Sequence, residues 1–166
     1  MPDHLVMVTG HRPQKLGGYG GSPTQFRVRV WLRGRLVALK QRHGAQLVAI
    51  SGMALGVDQW FAEEALALGI PFDAYVPCDG QDSTWPRMSQ LNYRAGLGHA
   101  RNVIVVSPGP YAAWKMQRRN EAMVDAAQDH LAVRDGEEKG GTWNCVRYMR
   151  QKGVEPVIFN PRSATR

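Results

Sequence analysis

The chain predicts an α/β fold, a Rossmann-like three-layer sandwich built on a mostly parallel sheet. Three observations carry that expectation. Short runs rich in Val, Ile and Leu alternate with longer amphipathic stretches. The alternation repeats without a hairpin turn signal, as expected where each strand returns through a helix. The short runs are continuously apolar, the pattern of strands covered on both faces.

In order, strands are expected at Leu5–Thr9, Gln46–Ser51, Phe72–Pro77, Asn102–Ser107, His130–Arg134 and Pro156–Phe159, each bounded by Gly, Pro, Asp or Ser. The first helix, Thr24–His43, carries an apolar stripe of Val28, Leu32, Leu36 and Leu39, with Arg27, Trp31, Arg35 and Arg42 on another, outer face. The second, Gly56–Leu68, has the stripe Val57, Trp60, Phe61, Ala65 and Leu68. The third, Pro86–Ala100, has Pro86 in its first turn and Ser83 or Thr84 as its cap. Trp114–Ala127 and Thr142–Lys152 complete the set, and residues 161–166 read as a frayed tail.

With 166 residues and 43% apolar content, residues 1–160 suffice for a single domain. Two cysteines, Cys78 and Cys145, exclude a disulfide-dense scaffold and a four-cysteine zinc module. Cys78 reads as a buried structural residue. The histidines are scattered without a metal-ligand spacing, so no metal is expected. No apolar run reaches a membrane span, and the amino terminus lacks a signal-peptide pattern. The expectation is a cytoplasmic protein without a membrane partner.

Net charge is +7, and it is uneven. Two acid-free segments, between Asp3 and Asp58 and between Asp82 and Glu121, hold 14 of the 21 Lys and Arg residues. Such a surplus attracts phosphate, nucleotide or nucleic acid. In an open parallel sheet the ligand sits beyond the carboxyl ends of the strands, so the loops there are the candidates.

The loop from Thr9 to Ser22 combines glycines with phosphate donors: Gly10, His11, Arg12 and Lys15. Ser51-Gly52-Met53-Ala54-Leu55-Gly56-Val57-Asp58 ends a strand and opens a helix, offering backbone N–H groups to an anion. It is neither a dinucleotide fingerprint nor a Walker A loop. Asp58 either complements the helix dipole or hydrogen-bonds a ribose or base. Trp85 either stacks a base or packs in the core. In Lys115-Met116-Gln117-Arg118-Arg119-Asn120 one arginine can lean into the cleft while the other meets solvent, provided Met116, Met123 and Ala127 face the core. Gly140-Gly141-Thr142 either presents another anion site or uses Thr142 as a helix cap.

Thr9-Gly10-His11-Arg12-Pro13, Ser51 through Asp58, Lys115 through Asn120 and Gly140-Gly141-Thr142, in that order, resemble the SLOG superfamily of Rossmann-like proteins, specifically its YpsA-like branch. Related branches are the DprA-like proteins and the Lonely-guy phosphoribohydrolases. The resemblance covers roughly residues 4–159. It implies a nucleotide or nucleotide-derived, ADP-ribose-like ligand at the glycine loops, no required cofactor, and a homodimer. The hydrolase branch uses an Arg, matched by Arg119, and a Glu three positions after the Thr, where this chain has Cys145. The expected ligand set is therefore Gly10, His11, Arg12, Lys15, Ser51, Gly52, Met53, Gly56, Asp58, Trp85, Arg119, Asn120, Gly140, Gly141 and Thr142. If the chain is a nucleotide N-glycosidase, Arg119, Asp58 and Glu121 are the catalytic candidates. A DprA-like binder of single-stranded DNA is the third alternative, resting on the basic first helix and Trp31.

Overall fold

A computed structural model describes residues 2–18 and 21–163. Its strands are β1 (His4–Gly10), β2 (Leu47–Ser51), β3 (Phe72–Val76), β4 (Asn102–Val105), β5 (Asp129–Val133) and β6 (Val157–Phe159). Its helices are α1 (Pro23–His43), α2 (Val57–Ala67), α3 (Arg87–His99), α4 (Ala113–Ala126) and α5 (Gly140–Gln151), with short 3-10 turns at Pro13–Lys15 and Gly44–Gln46. Each expected strand and helix is present, within a residue or two at its ends.

The six strands form one sheet in the order β4-β3-β2-β1-β5-β6, and every pair is parallel. On one face Val6, Val8, Leu47 and Ala49 pack with Val28, Leu32, Leu36 and Leu39 of α1 and Val57 and Phe61 of α2. On the other, Met7 and Ile50 meet Met123 and Val124 of α4 and Cys145 and Met149 of α5. Consecutive residues of β1 thus serve opposite layers, as the pleat requires. This is why β1 and β2 carry uninterrupted apolar runs.

The same reasoning fails at the sheet's edges. β4 has the sequence Asn-Val-Ile-Val yet Val103, Ile104 and Val105 are exposed, because β4 is an edge strand that no helix fully covers. Val157 and Ile158 of β6 are exposed for the same reason.

Several local expectations are corrected. Neither Ser83 nor Thr84 caps α3; Pro86 occupies the cap position, with no side-chain cap bond. Helix α5 begins at Gly140, so Thr142 lies inside its first turn and Lys139 is the cap residue. The outer face of α1 is not a free basic face. Trp31 packs on Phe159 at 5.4 Å, and Arg27 is half-buried and donates to the Pro161 carbonyl at 3.3 Å. Arg35 is also half-buried. Pro161 is buried and Arg162 forms ion pairs, so residues 161–163 are docked rather than frayed, and residues 164–166 lie outside the described residues. No helix among the described residues is long and apolar enough to cross a membrane.

Candidate functional site

Strand order reverses direction at β1: the chain builds β2, β3 and β4 on one side of it and β5 and β6 on the other. The loops leaving β1 and β5 therefore diverge and leave a crevice at the carboxyl edge, the switch point of a doubly wound sheet. A cavity of about 410 Å³ opens there. Thr9 through Arg12, Gln14 and Lys15 line it from β1, Ala54 and Asp58 from the start of α2, Met116, Arg119 and Asn120 from α4, and Lys139 through Thr142 from the start of α5.

The floor is set by close backbone approach. A methyl group on Gly10 would lie 2.6 Å from the Val57 side chain, so only glycine lets β1 meet the first turn of α2. The loop between β2 and α2 is held by Ser51, whose hydroxyl donates to the Asp58 carbonyl at 2.7 Å and accepts from the Met53 N–H at 3.1 Å. Met53 takes a left-handed φ of 59°, a strained choice for a side chain of its size. The turn aims the Gly52 carbonyl at Arg119.

Arg119 is 3% exposed. Its Nη1 donates to the carbonyls of Gly52 at 2.6 Å and Tyr75 at 3.0 Å, and its Nε to the Asn120 side chain at 3.0 Å. Burial lowers the guanidinium's pKa, and the neighbouring Asp58 opposes that. Asp58 accepts from the Ala54 N–H at 3.3 Å. Burial pushes its carboxyl up to about 6, held from rising further by Arg119, the Ala54 N–H and Arg12. Arg118 is exposed, so of the two adjacent arginines one enters the cleft and the other meets solvent. Met116, expected in the core, instead lines the cavity.

The other wall is an ionic clasp. His11 is buried and its Nε2 accepts the Asp135 backbone N–H at 3.0 Å, which places the imidazole proton on Nδ1. Burial lowers the His11 pKa, in keeping with that neutral form. Lys15 pairs with Glu137 at 2.9 Å and Asp135 at 3.6 Å, and Arg162 reaches the same two acids. Asp135 and Glu137 were not singled out in the sequence. Acids in the loop after a strand carry no signal until the topology sets β5 beside β1.

The structure brings Gly10, His11, Arg12, Lys15, Asp58, Arg119, Asn120, Gly140, Gly141 and Thr142 to the cavity, with Thr9, Gln14, Ala54, Met116 and Lys139 beside them. Ser51, Gly52, Met53 and Gly56 shape the supporting turn without lining it. Trp85 is elsewhere: it is buried edge-on against Tyr93 at 5.1 Å, in the core of the α3 side. Glu121 does not line the cavity and accepts from Gln117 at 3.3 Å on its own helix. Cys145 lies on the buried face of α5 and its thiol is pushed up to about 12, mainly by desolvation, so it is protonated and unsuited to replace a carboxylate.

A family profile described as the YspA SLOG family, YpsA, matches residues 6–156. The chain is 32% identical over 118 residues to the uncharacterized SPbeta prophage-derived protein YoqJ of Bacillus subtilis (strain 168), covering 61% of this chain and 68% of that protein. Its fold is similar to DNA processing protein A from Helicobacter pylori, whose structure concerns a single-stranded DNA binding mode, with a TM-score of 0.64 at 18% identity. That likeness covers 95% of this chain but 65% of the other, so this chain spans just under two thirds of it. The structure of TM1055 is similar at a TM-score of 0.60 and 15% identity, covering 91% of this chain and 71% of that one. DNA processing protein A from Streptococcus pneumoniae gives 0.51 at 19%, covering 93% and 58%. The chain belongs to the YpsA family of the SLOG superfamily.

Proposed function

We propose that this SLOG-family protein binds a nucleotide or a nucleotide-derived, ADP-ribose-like molecule in the cavity at the carboxyl edge of its sheet. The observation that carries the reading is the meeting of two buried, electrostatically coupled side chains, Arg119 and Asp58, in the lining of a cavity of about 410 Å³, a volume suited to one small ligand rather than a polymer groove. Gly140 and Gly141 open α5 and line the same space, and a helix start there favours phosphate through free N–H groups and the helix dipole. Arg12 is exposed at the cavity, acts on Asp58 through its charge without closing an ion pair among the described residues, and supplies positive charge to a phosphate. In this reading Asp58, which lines the cavity, accepts a ribose hydroxyl.

Calorimetry with nucleoside monophosphates, NAD and ADP-ribose tests this. Saturable one-to-one binding that Arg12→Ala weakens supports it; no heat from any of these at millimolar concentration rejects it.

A second reading, cleavage of a nucleotide N-glycosidic bond, is favoured by one specific observation. Asp58 has a carboxyl pushed up to about 6 inside the cavity, the property of an acid–base group that works near neutrality. Glu121 and Cys145 do not support it. Chromatographic detection of free base after incubation separates turnover from binding. Single-stranded DNA belongs in the same panel. The basic surface available to it is reduced, because Arg29 pairs with Glu63 and Glu64, and Arg33 with Glu64.

A further inference from the structure

At the opposite, amino-terminal edge of the sheet, three side chains converge from three elements. His4 opens β1, Asp129 opens β5, and His43 ends α1. Their ligating atoms all lie within 4.8 Å of one another. His4 Nε2 is 2.5 Å from Asp129 Oδ2, and the His4 and His43 rings stack at 3.5 Å between centroids. All three are half-buried. The sequence held no metal spacing because these donors are far apart along the chain; the parallel register that sets β1 beside β5 and the length of α1 create the cluster.

We propose that His4, His43 and Asp129 form a binding site for a divalent transition-metal cation of the zinc class. Two imidazole nitrogens and one carboxylate oxygen are the donor set that selects Zn²⁺, Ni²⁺ or Cu²⁺ over the hard cations Mg²⁺ and Ca²⁺. A tetrahedral zinc ion bonded at about 2.0–2.1 Å holds its donor atoms about 3.3 Å apart. The cation takes the place of the direct contact between His4 and Asp129, which lengthens as it enters. The His43 ring turns about its Cβ–Cγ bond to bring a lone pair to the ion. Three protein ligands leave a fourth position for water. The ion ties the carboxyl end of α1 to the starts of β1 and β5, and so acts as a staple on the fold at a distance from the cavity.

Zinc titrated calorimetrically into tag-free protein tests the site. The expected result is one ion per chain, with affinity falling by more than about tenfold in His43→Gln and in Asp129→Asn. Cobalt is expected to give the visible bands of a four-coordinate site in the wild type and to lose them in His43→Gln. Zinc is expected to raise the melting temperature of the wild type but not of that variant. Absence of binding, or binding unchanged in both variants, overturns the proposal. Should a variant not fold by circular dichroism, X-ray absorption on the zinc-loaded wild type decides: nitrogen and oxygen neighbours with two imidazoles support the site, and sulfur neighbours or fewer imidazoles reject it.

Discussion

Arg119 donates to the Gly52 carbonyl at 2.6 Å, and a methyl group on Gly52 would fall 2.6 Å from that same Nη1 and 2.8 Å from Asp58 Oδ2. Gly52→Ala is therefore expected to push the guanidinium off its seat. Overpacking of this kind costs about 1–3 kcal/mol, and nucleotide affinity should fall at least about tenfold. Thermal melting and calorimetry check the two effects separately. A variant with wild-type affinity would show that the seat of Arg119 is unimportant to the ligand.

Asp58 sets one pH dependence. Its folded pKa of about 6 lies above its ordinary 3.8, so between those values the folded state holds a proton that the unfolded chain has released. Its contribution to stability is full below pH ~4, declines as pH rises to about 6, and is flat beyond, a loss of about 3 kcal/mol. Asp58→Asn should remove this slope in urea unfolding measured across that range. An unaltered slope would place the titration on another group.

His11 acts in the opposite sense. Its folded pKa lies below 6.5, so its contribution is present above that value and is lost as pH falls beneath it. His11→Ala also leaves the Asp135 N–H without its acceptor, at a cost of about 1–3 kcal/mol. Hydrogen exchange at the Asp135 amide should accelerate in this variant. If its protection is retained, the bond from Asp135 to His11 is not what orders the loop.

Arg12 and Lys15 should not contribute equally. Lys15 is engaged by Glu137 and Asp135, whereas Arg12 forms no ion pair among the described residues and feels Asp58 only at longer range. Arg12→Ala is expected to weaken nucleotide binding more than Lys15→Ala, by about fivefold or more, consistent with one charge-assisted phosphate bond. Titration of both variants with one nucleotide at fixed salt gives the ratio. Equal losses would mean that Lys15 leaves its acids when ligand arrives.

Both cysteines should be silent in the native protein. Cys78 and Cys145 are buried, and the Cys145 thiol is pushed up to about 12. A thiol reagent at neutral pH should label neither until denaturant is added, when both react. Rapid native labelling of Cys145 would contradict its protonated, enclosed setting.

Much of this was legible in the residues. Continuous apolar runs identify β1 and β2, because strands covered on both faces need them, and the stripe of Val28, Leu32, Leu36 and Leu39 identifies the buried side of α1. The glycines and Arg119 of the site were legible because each motif is local. What escaped depends on pairing between distant segments. Asp135 meets His11 only after β5 docks on β1, and His4 meets Asp129 through the same pairing. Trp85 and Trp31 were ambiguous because an aromatic beside polar residues looks the same whether it stacks on a ligand or on Tyr93 and Phe159.

The placement of β1 between β2 and β5 also bears on how the protein acquires its shape. Each pairing on the β4 side joins strands that are consecutive in the chain, whereas Val6 must wait for Asp129. Closing that long loop is entropically costly and comes slowly. The half containing β1 to β4 can therefore assemble before β5 arrives, but it has only part of the cavity wall. A ligand that needs both Arg12 and the start of α5 recognises only chains that have completed the last docking step. Added during refolding, it should leave the early collapse unchanged and draw the final, slow phase towards completion.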